Sequence, residues 1–190
     1  CSTADVVVPI DTAQIVSSKQ DATRSVQVQV TDIRKEANLE RTTIGNLSMG
    51  RITLKPPAPE LVQTVIEASA DKVLAGHSGI EPQTVLCGIR VFEIATPATP
   101  LYWDINAKIE LVLRVRGHDR TVSGTATERT FVWPTEALIE RVTTEALRQV
   151  TVRTTNRQVQ LLGPPRGPHA PGAVAEVALE LAVDRLAGER

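Results

Sequence analysis

The strongest constraint on the fold is a long alternation of apolar and polar side chains between Leu101 and Arg116. Its apolar members are Trp103, Ile105, Ala107, Ile109, Leu111, Leu113 and Val115. A period of two residues is the pattern of a β-strand with one face in a core and the other in water. The alternation therefore predicts a long strand in a sheet that is covered on one side.

Neighbouring segments are predicted to extend this strand into an antiparallel sheet. Gly117-His118-Asp119 has the composition of a tight turn, so a hairpin should join the long strand to another at Arg120 to Val132. The apolar segment Thr84 to Ile94 predicts a preceding strand. Closer to the N-terminus, a strand is expected at Val26 to Thr31, where valines alternate with polar residues.

The residues between these strands predict a loop, a short strand and two helices. Asp32 to Gly50 has the asparagines and glycines of a loop or irregular ribbon, which leads to a short strand at Arg51 to Leu54. Apolar residues at helical spacing predict one amphipathic helix from Pro59 or Glu60 to Gly76, and a second over Leu138 to Val150.

Together these elements predict an α+β fold with a mostly antiparallel sheet of about four to five strands and two amphipathic helices packed on one face. Residues 1–24 are predicted to be a flexible N-terminal tether with a span near 25 Å, although Val6-Val7-Val8 could instead pair with a sheet or a partner. Residues 25–162 form the single predicted domain. A Pro/Gly linker at 163–172 and a C-terminal helical extension at 173–190 follow.

Composition argues against several classes of function. The formal net charge is −1, so we expect no binding to nucleic acid. His77, His118 and His169 have no metal-ligand spacing, and no catalytic or phosphate-binding motif is evident, so we predict no metal, no cofactor and no enzymatic activity. Cys87 lies in an apolar run and is expected to be a buried structural thiol.

The first residue suggests membrane attachment. A chain that is numbered from Cys1 is expected to have lost a signal peptide, and cleavage before a cysteine is typical of bacterial lipoproteins. We therefore predict that Cys1 carries acyl chains such as palmitate, more than one of which is needed for stable anchoring. The residue after the cysteine is Ser2, which favours the outer membrane with the domain on its periplasmic side. An arbitrary chain boundary is the alternative.

The chain is similar to the YajG-type family of bacterial outer-membrane lipoproteins. The resemblance covers about residues 26–151 and rests on Thr31-Asp32-Ile33-Arg34, Ile44-Gly45, Leu74-Ala75-Gly76, Leu101-Tyr102-Trp103-Asp104-Ile105 and Glu145-Ala146-Leu147. It implies an outer-membrane lipoprotein without known enzymatic activity. The chain departs from the family after about residue 160.

Two functions agree with these observations. The first is a scaffold, assembly or accessory subunit of a cell-envelope complex, which would contact an envelope protein or a second copy of the chain. The alternative is an auxiliary carrier that binds lipid, glycan or peptide in a groove between sheet and helices. Candidate partner-binding residues are Trp133, although burial is the favoured interpretation for it, and Val174, Val177 and Leu181 of the predicted C-terminal helix, which could instead dock on its own domain.

Overall fold

The structure is a computed structural model, and it describes residues 5–16, 26–35, 39–44, 47–74, 83–115 and 117–162. The strands are β1 (Val6–Pro9), β2 (Val26–Asp32), β3 (Leu39–Ile44), β4 (Ser48–Lys55), β5 (Gln83–Ala98), β6 (Trp103–Val115) and β7 (His118–Thr130). The helices are α1 (Ala58–Leu74) and α2 (Glu136–Leu162), with a short 3-10 helix at Thr12–Gln14.

The described strands form one seven-stranded mixed sheet in the order β1-β4-β3-β5-β6-β7, with β2 also paired to β5. Strands β5, β6 and β7 are antiparallel neighbours, as their alternation predicts. The pairs β1–β4, β2–β5 and β3–β5 are parallel. The prediction of a mostly antiparallel sheet of about four to five strands is therefore wrong in strand number and in the share of parallel pairs, because parallel partners lie far apart in sequence and leave no local signal.

Strands β2 and β3 lie end to end along the same edge of β5. Strand β2 pairs with residues 83–89, and β3 pairs with residues 94–98. The loop predicted at Asp32 to Gly50 is therefore wrong for most of its length. The residues of β3 are Leu39-Glu40-Arg41-Thr42-Thr43-Ile44, which have no strict alternation, and the neighbouring asparagines and glycines favoured a loop.

The described N-terminal residues 5–16 add one strand to the sheet and pack against its core. Strand β1 pairs in parallel with β4, and Val6, Val8, Ile10 and Ile15 are buried. The predicted flexible tether is therefore wrong for residues 5–16, and pairing of Val6-Val7-Val8 with a sheet is what the structure has. Four residues are too few for a period-two pattern to be convincing.

Both helices contribute to one aliphatic core. Leu61, Val65 and Ile66 of α1 and Ile139 and Leu147 of α2 are fully buried, together with Ile89, Ile105, Ile109 and Leu111 of the sheet. Both predicted helices are present, and α2 continues beyond the predicted Val150. Helix α2 approaches β7 so closely that a Cβ atom on Gly124 would collide with the carbonyl oxygen of Ala146.

A bulge in β5 keeps its apolar side chains in this core. Pairing with β6 shifts between Ile89 and Val91, and the buried positions change from Val85, Cys87 and Ile89 to Phe92, Ile94 and Thr96. The other face of β5 and β6 carries Leu86, Arg90, Lys108 and Arg114, all exposed. The described elements thus leave this face of the sheet open.

Candidate functional site

Only one of the candidate site residues lies in the described part of the chain. Cys1, Val174, Val177 and Leu181 are outside the described residues. Trp133 lies in the connection between β7 and α2, and its side chain is 38% exposed. The structure therefore gives this tryptophan a partly exposed setting, and the favoured expectation of burial is wrong.

Trp133 is held by two ring contacts that leave part of its surface in solvent. Its ring packs edge-on against Trp103 with centroids 5.7 Å apart, and the guanidinium carbon of Arg41 lies 5.7 Å from its centroid. Next to it is an open cleft of about 510 Å³, which is lined by Val6, Pro9, Arg41, Trp133, Pro134, Thr135, Glu136, Ala137 and Glu140. The N-terminal strand and the start of α2 thus line one cleft together with this tryptophan.

Other aromatic residues gather at the same end of the sheet. The chain contains two Trp, two Phe and one Tyr, of which all except Phe92 are here. Tyr102 and Phe131 pack edge-on with centroids 6.2 Å apart. The Arg129 guanidinium carbon lies 3.9 Å from the Tyr102 centroid, and its Nε donates to Asp104 at 2.8 Å. The pairing of Trp103 with Thr130 brings these residues together.

We define the apolar end as the exposed hydrophobic residues at these strand ends: Leu47, Leu101, Phe131, Val132 and Trp133. Leu101 is 76% exposed and Phe131 is 74% exposed. The sequence argument selected Trp133 alone and missed the other members. The predicted hairpin could have revealed Leu101, Phe131 and Val132, because its two strands end in Leu101-Tyr102 and Phe131-Val132, but it gives no position for Leu47.

A second exposed apolar surface lies on the open face, where β2 and β3 are interrupted. We call it the open-face groove: it has a volume of about 640 Å³ and is lined by Ile33, Lys35, Arg90, Val91, Phe92, Glu93 and Val112. Ile33 is 53% exposed and lies over Gly88, where an added Cβ would be 3.0 Å from its Cδ1. Glycine at this position therefore leaves room for the isoleucine.

Arg34 closes the gap that the interrupted strand leaves beside β5. Its Nη1 donates to the carbonyl oxygen of Phe92 at 3.4 Å, and its Nη2 lies 2.6 Å from the Asp32 carboxylate. The hydrogen bond from the Arg34 side chain lowers the pKa of Asp32 below its usual value. Nearby, Arg90 and Glu110 form an ion pair at 3.1 Å. The groove thus has an apolar floor and charged margins.

The setting of Cys87 does not favour a reaction at its thiol. Cys87 is buried beneath the sheet, as expected, and burial raises the pKa of its thiol to about 12. It is therefore protonated at neutral pH and is a weak nucleophile. Within the described ranges, no group of three or more His, Cys, Asp and Glu side chains is arranged to hold a metal ion. No described helix has the length and apolar character to cross a bilayer.

Comparison with solved structures yields distant likenesses. An uncharacterized protein shares 12% identity with a TM-score of 0.39, over 70% of this chain and 88% of that chain. A putative lipoprotein from Caulobacter crescentus CB15 shares 9% identity with a TM-score of 0.34, over 75% of this chain and 95% of that chain. The N-terminal domain of Thermus thermophilus Protein Y shares 11% identity with a TM-score of 0.23, over 63% of this chain and 98% of that chain.

No family model and no curated protein matches the chain. The resemblance to the YajG-type family therefore stays a prediction. With TM-scores below 0.5, the structural likenesses carry no argument about function, which has to be argued from the residues themselves.

Proposed function

We propose that the protein is a bacterial lipoprotein, anchored through Cys1 on the periplasmic side of the outer membrane, that serves as a non-enzymatic scaffold or accessory subunit of a cell-envelope complex. The open-face groove is the observation that carries the proposed subunit role. It exposes Ile33 and part of Val112 on a sheet face that the described elements leave uncovered. Exposed apolar surface with a charged margin is characteristic of protein interfaces.

The chemistry of the groove defines the partner that it would accept. An apolar side chain of an envelope protein would fit between Ile33 and Val112. Lys35 and Glu93 at the margin offer one charge of each sign to the polar groups around that side chain. The partner is therefore expected to present an apolar residue flanked by polar or charged ones.

The carrier function has less support from the packing. It requires a groove between the sheet and the helices, but most of that space holds buried side chains, among them Leu61, Ile66, Ile109, Ile139 and Leu147. The cleft beside Trp133 does lie between the sheet and the start of α2, but it is open to solvent and is lined in part by the charged Arg41, Glu136 and Glu140. The two clefts described above are both at the surface. Contact with a partner protein is thus favoured over a ligand held in the interior.

The test is native mass measurement of the lipoprotein purified from its host with envelope extract. Wild type is expected in a discrete complex, whereas Ile33→Asp should be monomeric with an unchanged melting temperature. Val152→Asp is the matched control, since Val152 is 57% exposed on α2, and it should keep the complex. Retention of the complex by Ile33→Asp, or a monomeric wild type, would contradict the proposed subunit role.

Lipid attachment is tested separately by mass spectrometry of the same protein. A mass increase on the N-terminal peptide that matches acylation of Cys1 is expected. An unmodified Cys1 thiol in protein from the native host would exclude the proposed anchor, whatever the result for the complex.

A further inference from the structure

The connections at the apolar end contain no charged residue. They are Thr99-Pro100-Leu101-Tyr102 between β5 and β6 and Phe131-Val132-Trp133-Pro134-Thr135 between β7 and α2, and in the connection between β3 and β4 the described residue is Leu47. Surface connections in a protein that meets only water are typically polar. Exposed leucine, valine, phenylalanine and tryptophan at three neighbouring connections form a patch that is suited to an apolar environment.

The composition of this patch is typical of protein surfaces at a membrane interface. Tryptophan and tyrosine concentrate at the headgroup level of bilayers, because each combines an apolar ring with a polar group. Trp133 of the apolar end and the neighbouring Tyr102 lie beside the more exposed Leu101 and Phe131. Arg129 lies over the Tyr102 ring with its charge paired to Asp104, so its guanidinium can remain at the headgroups.

The first described residue lies close to this end. The backbone N–H of Arg51 donates to the Asp5 carboxylate at 2.9 Å, and Glu40 of β3 pairs with both Arg51 and Ala95. Asp5 is therefore level with Ala95, about 10 Å along β5 from the strand end at Ala98. From Asp5, β1 runs away from the apolar end, since Val6 pairs with Ile52 and Pro9 with Lys55.

This placement limits how far a lipid on Cys1 could be from the apolar end. Cys1 precedes Asp5 by four residues, and that length of chain spans at most about 14 Å. Cys1 can therefore reach little beyond the strand ends. An anchor at Cys1 would therefore keep Asp5, and with it the nearby strand ends, within a short distance of the bilayer, whereas a long tether would let the domain stand clear of it.

We propose that the apolar end docks into the interfacial region of a lipid bilayer and holds the sheet upright on the membrane. Leu101 and Phe131 enter the boundary between headgroups and acyl chains, and Trp133 lies at the headgroup level. The orientation rests on the proposed lipid anchor, but the affinity of the apolar end for the bilayer is a separate property. Because the contact is apolar, it should depend little on ionic strength.

The test uses the full chain coupled through Cys1 to a maleimide lipid in vesicles of phosphatidylcholine and phosphatidylethanolamine. The burial and raised pKa of Cys87 direct the coupling to Cys1. Acyl chains brominated near the headgroup should quench the tryptophan emission, and Trp133→Phe should remove most of the quenching. Since the anchor is attached chemically, the result does not depend on whether the host acylates Cys1 or on any protein partner.

Point variants measure the contribution of the apolar end without the anchor. In full-length Cys1→Ser protein, Phe131→Glu or Leu101→Glu should reduce partitioning onto these vesicles by roughly tenfold or more. The control Val152→Glu changes an exposed apolar residue elsewhere and should leave partitioning unchanged. Absence of quenching in the coupled protein, or equal losses in the control, would overturn the proposal. Loss of a native protein complex in Phe131→Glu without lipid quenching would assign the apolar end to a protein instead.

Discussion

The two ends of the β6–β7 hairpin have opposite surface chemistry. At the end where the strands turn into each other, Arg114 and Asp119 form an ion pair at 2.5 Å beside the exposed His118 and Arg120. At the other end, Leu101 and Phe131 are exposed and the connections carry no charge. Both ends satisfy the same strand register, so backbone pairing does not require the difference. The contrast indicates that one end is built for water and the other for a less polar environment.

The two ends can be compared as parts of one body, because the described strands and helices pack on a single core. The N-terminal strand β1 lies beside β4 and contacts α2, while Arg148 of α2 donates to the carbonyl oxygen of Gln14 at 3.2 Å. An anchor at the N-terminus would therefore orient the sheet as well as hold it. If the two ends belong to one rigid body, substitutions in the packing that joins them should change the stability of the protein most, and substitutions at either end should change it less.

The largest effect is expected from Gly124→Ala, which should separate α2 from the sheet that joins the two ends. The added methyl would overlap the Ala146 carbonyl oxygen and lie 3.0 Å from Val150. We expect the free energy of unfolding to fall by about 3 kcal/mol in chemical denaturation. Gly117→Ala is the control: its φ of 78° costs about 1 kcal/mol, but nothing lies within 4 Å. Equal losses would show that α2 is not tightly packed at Gly124.

Val8→Ala tests whether β1 belongs to the body. Val8 is fully buried, so its truncation should lower the free energy of unfolding by about 2 kcal/mol. Val7→Ala is the matched control on the same strand, because Val7 is 51% exposed, and it should change stability by less than about 0.5 kcal/mol. Equal stability of the two variants in thermal and denaturant unfolding would show that residues 5–16 behave as a tether. An anchor at Cys1 would then not orient the sheet.

Arg129→Ala and Arg114→Ala compare equivalent arginines at the two ends. Each pairs with an aspartate, but Arg129 also lies over the Tyr102 ring. We expect both variants to lower the free energy of unfolding by less than Val8→Ala does. The decrease should be larger for Arg129→Ala than for Arg114→Ala, because it removes a ring contact as well as an ion pair. Unfolding measured at low and high salt should show that the Arg114 effect is screened more completely. A larger decrease in the free energy of unfolding for Arg114→Ala than for Arg129→Ala would contradict this expectation.

The smallest effect is the pH dependence of the ion pair at the charged end. The hydrogen bond from the Arg114 side chain lowers the pKa of Asp119. Its contribution to stability is therefore complete above the unfolded-state value of about 3.9 and is lost as pH falls through the lower folded value. Unfolding of wild type and Asp119→Asn between about pH 5 and pH 2 should converge towards low pH. A difference that persists at the lowest pH would exclude this cause.

Part of the apolar end could be found before the structure was known. The alternation from Trp103 to Val115 and the turn at Gly117 predict which side chains of β6 face the core, and the register of β7 follows from the turn. That register places Tyr102 near Phe131. Leu47 and the N-terminal strand could not be assigned to this end, because their positions depend on how β3 and β4 pair with β5.

The open-face groove was less accessible to sequence reasoning. Its residues come from Ile33, which the parallel pairing of β2 with β5 brings to Gly88, from a bulge at Arg90 and Val91, and from Val112, which the antiparallel pairing of β6 places opposite Gly88. Neither the bulge nor the interruption between β2 and β3 has a pattern that separates it from an ordinary strand or loop. The apolar residues in the groove are therefore scattered in sequence and adjacent only in the fold.

The sequence by itself determined the elements whose pattern repeats over many residues: the long strand, its hairpin and the two helices. Such patterns reflect which side of a local element meets the core, which depends on the spacing of neighbouring residues. Only the tertiary structure decided that β1 completes the sheet beside β4 and that β2 and β3 share one edge of β5. Those pairings join distant segments through backbone hydrogen bonds that every residue except proline can donate. The side chains of the paired segments therefore do not reveal which strand pairs with which.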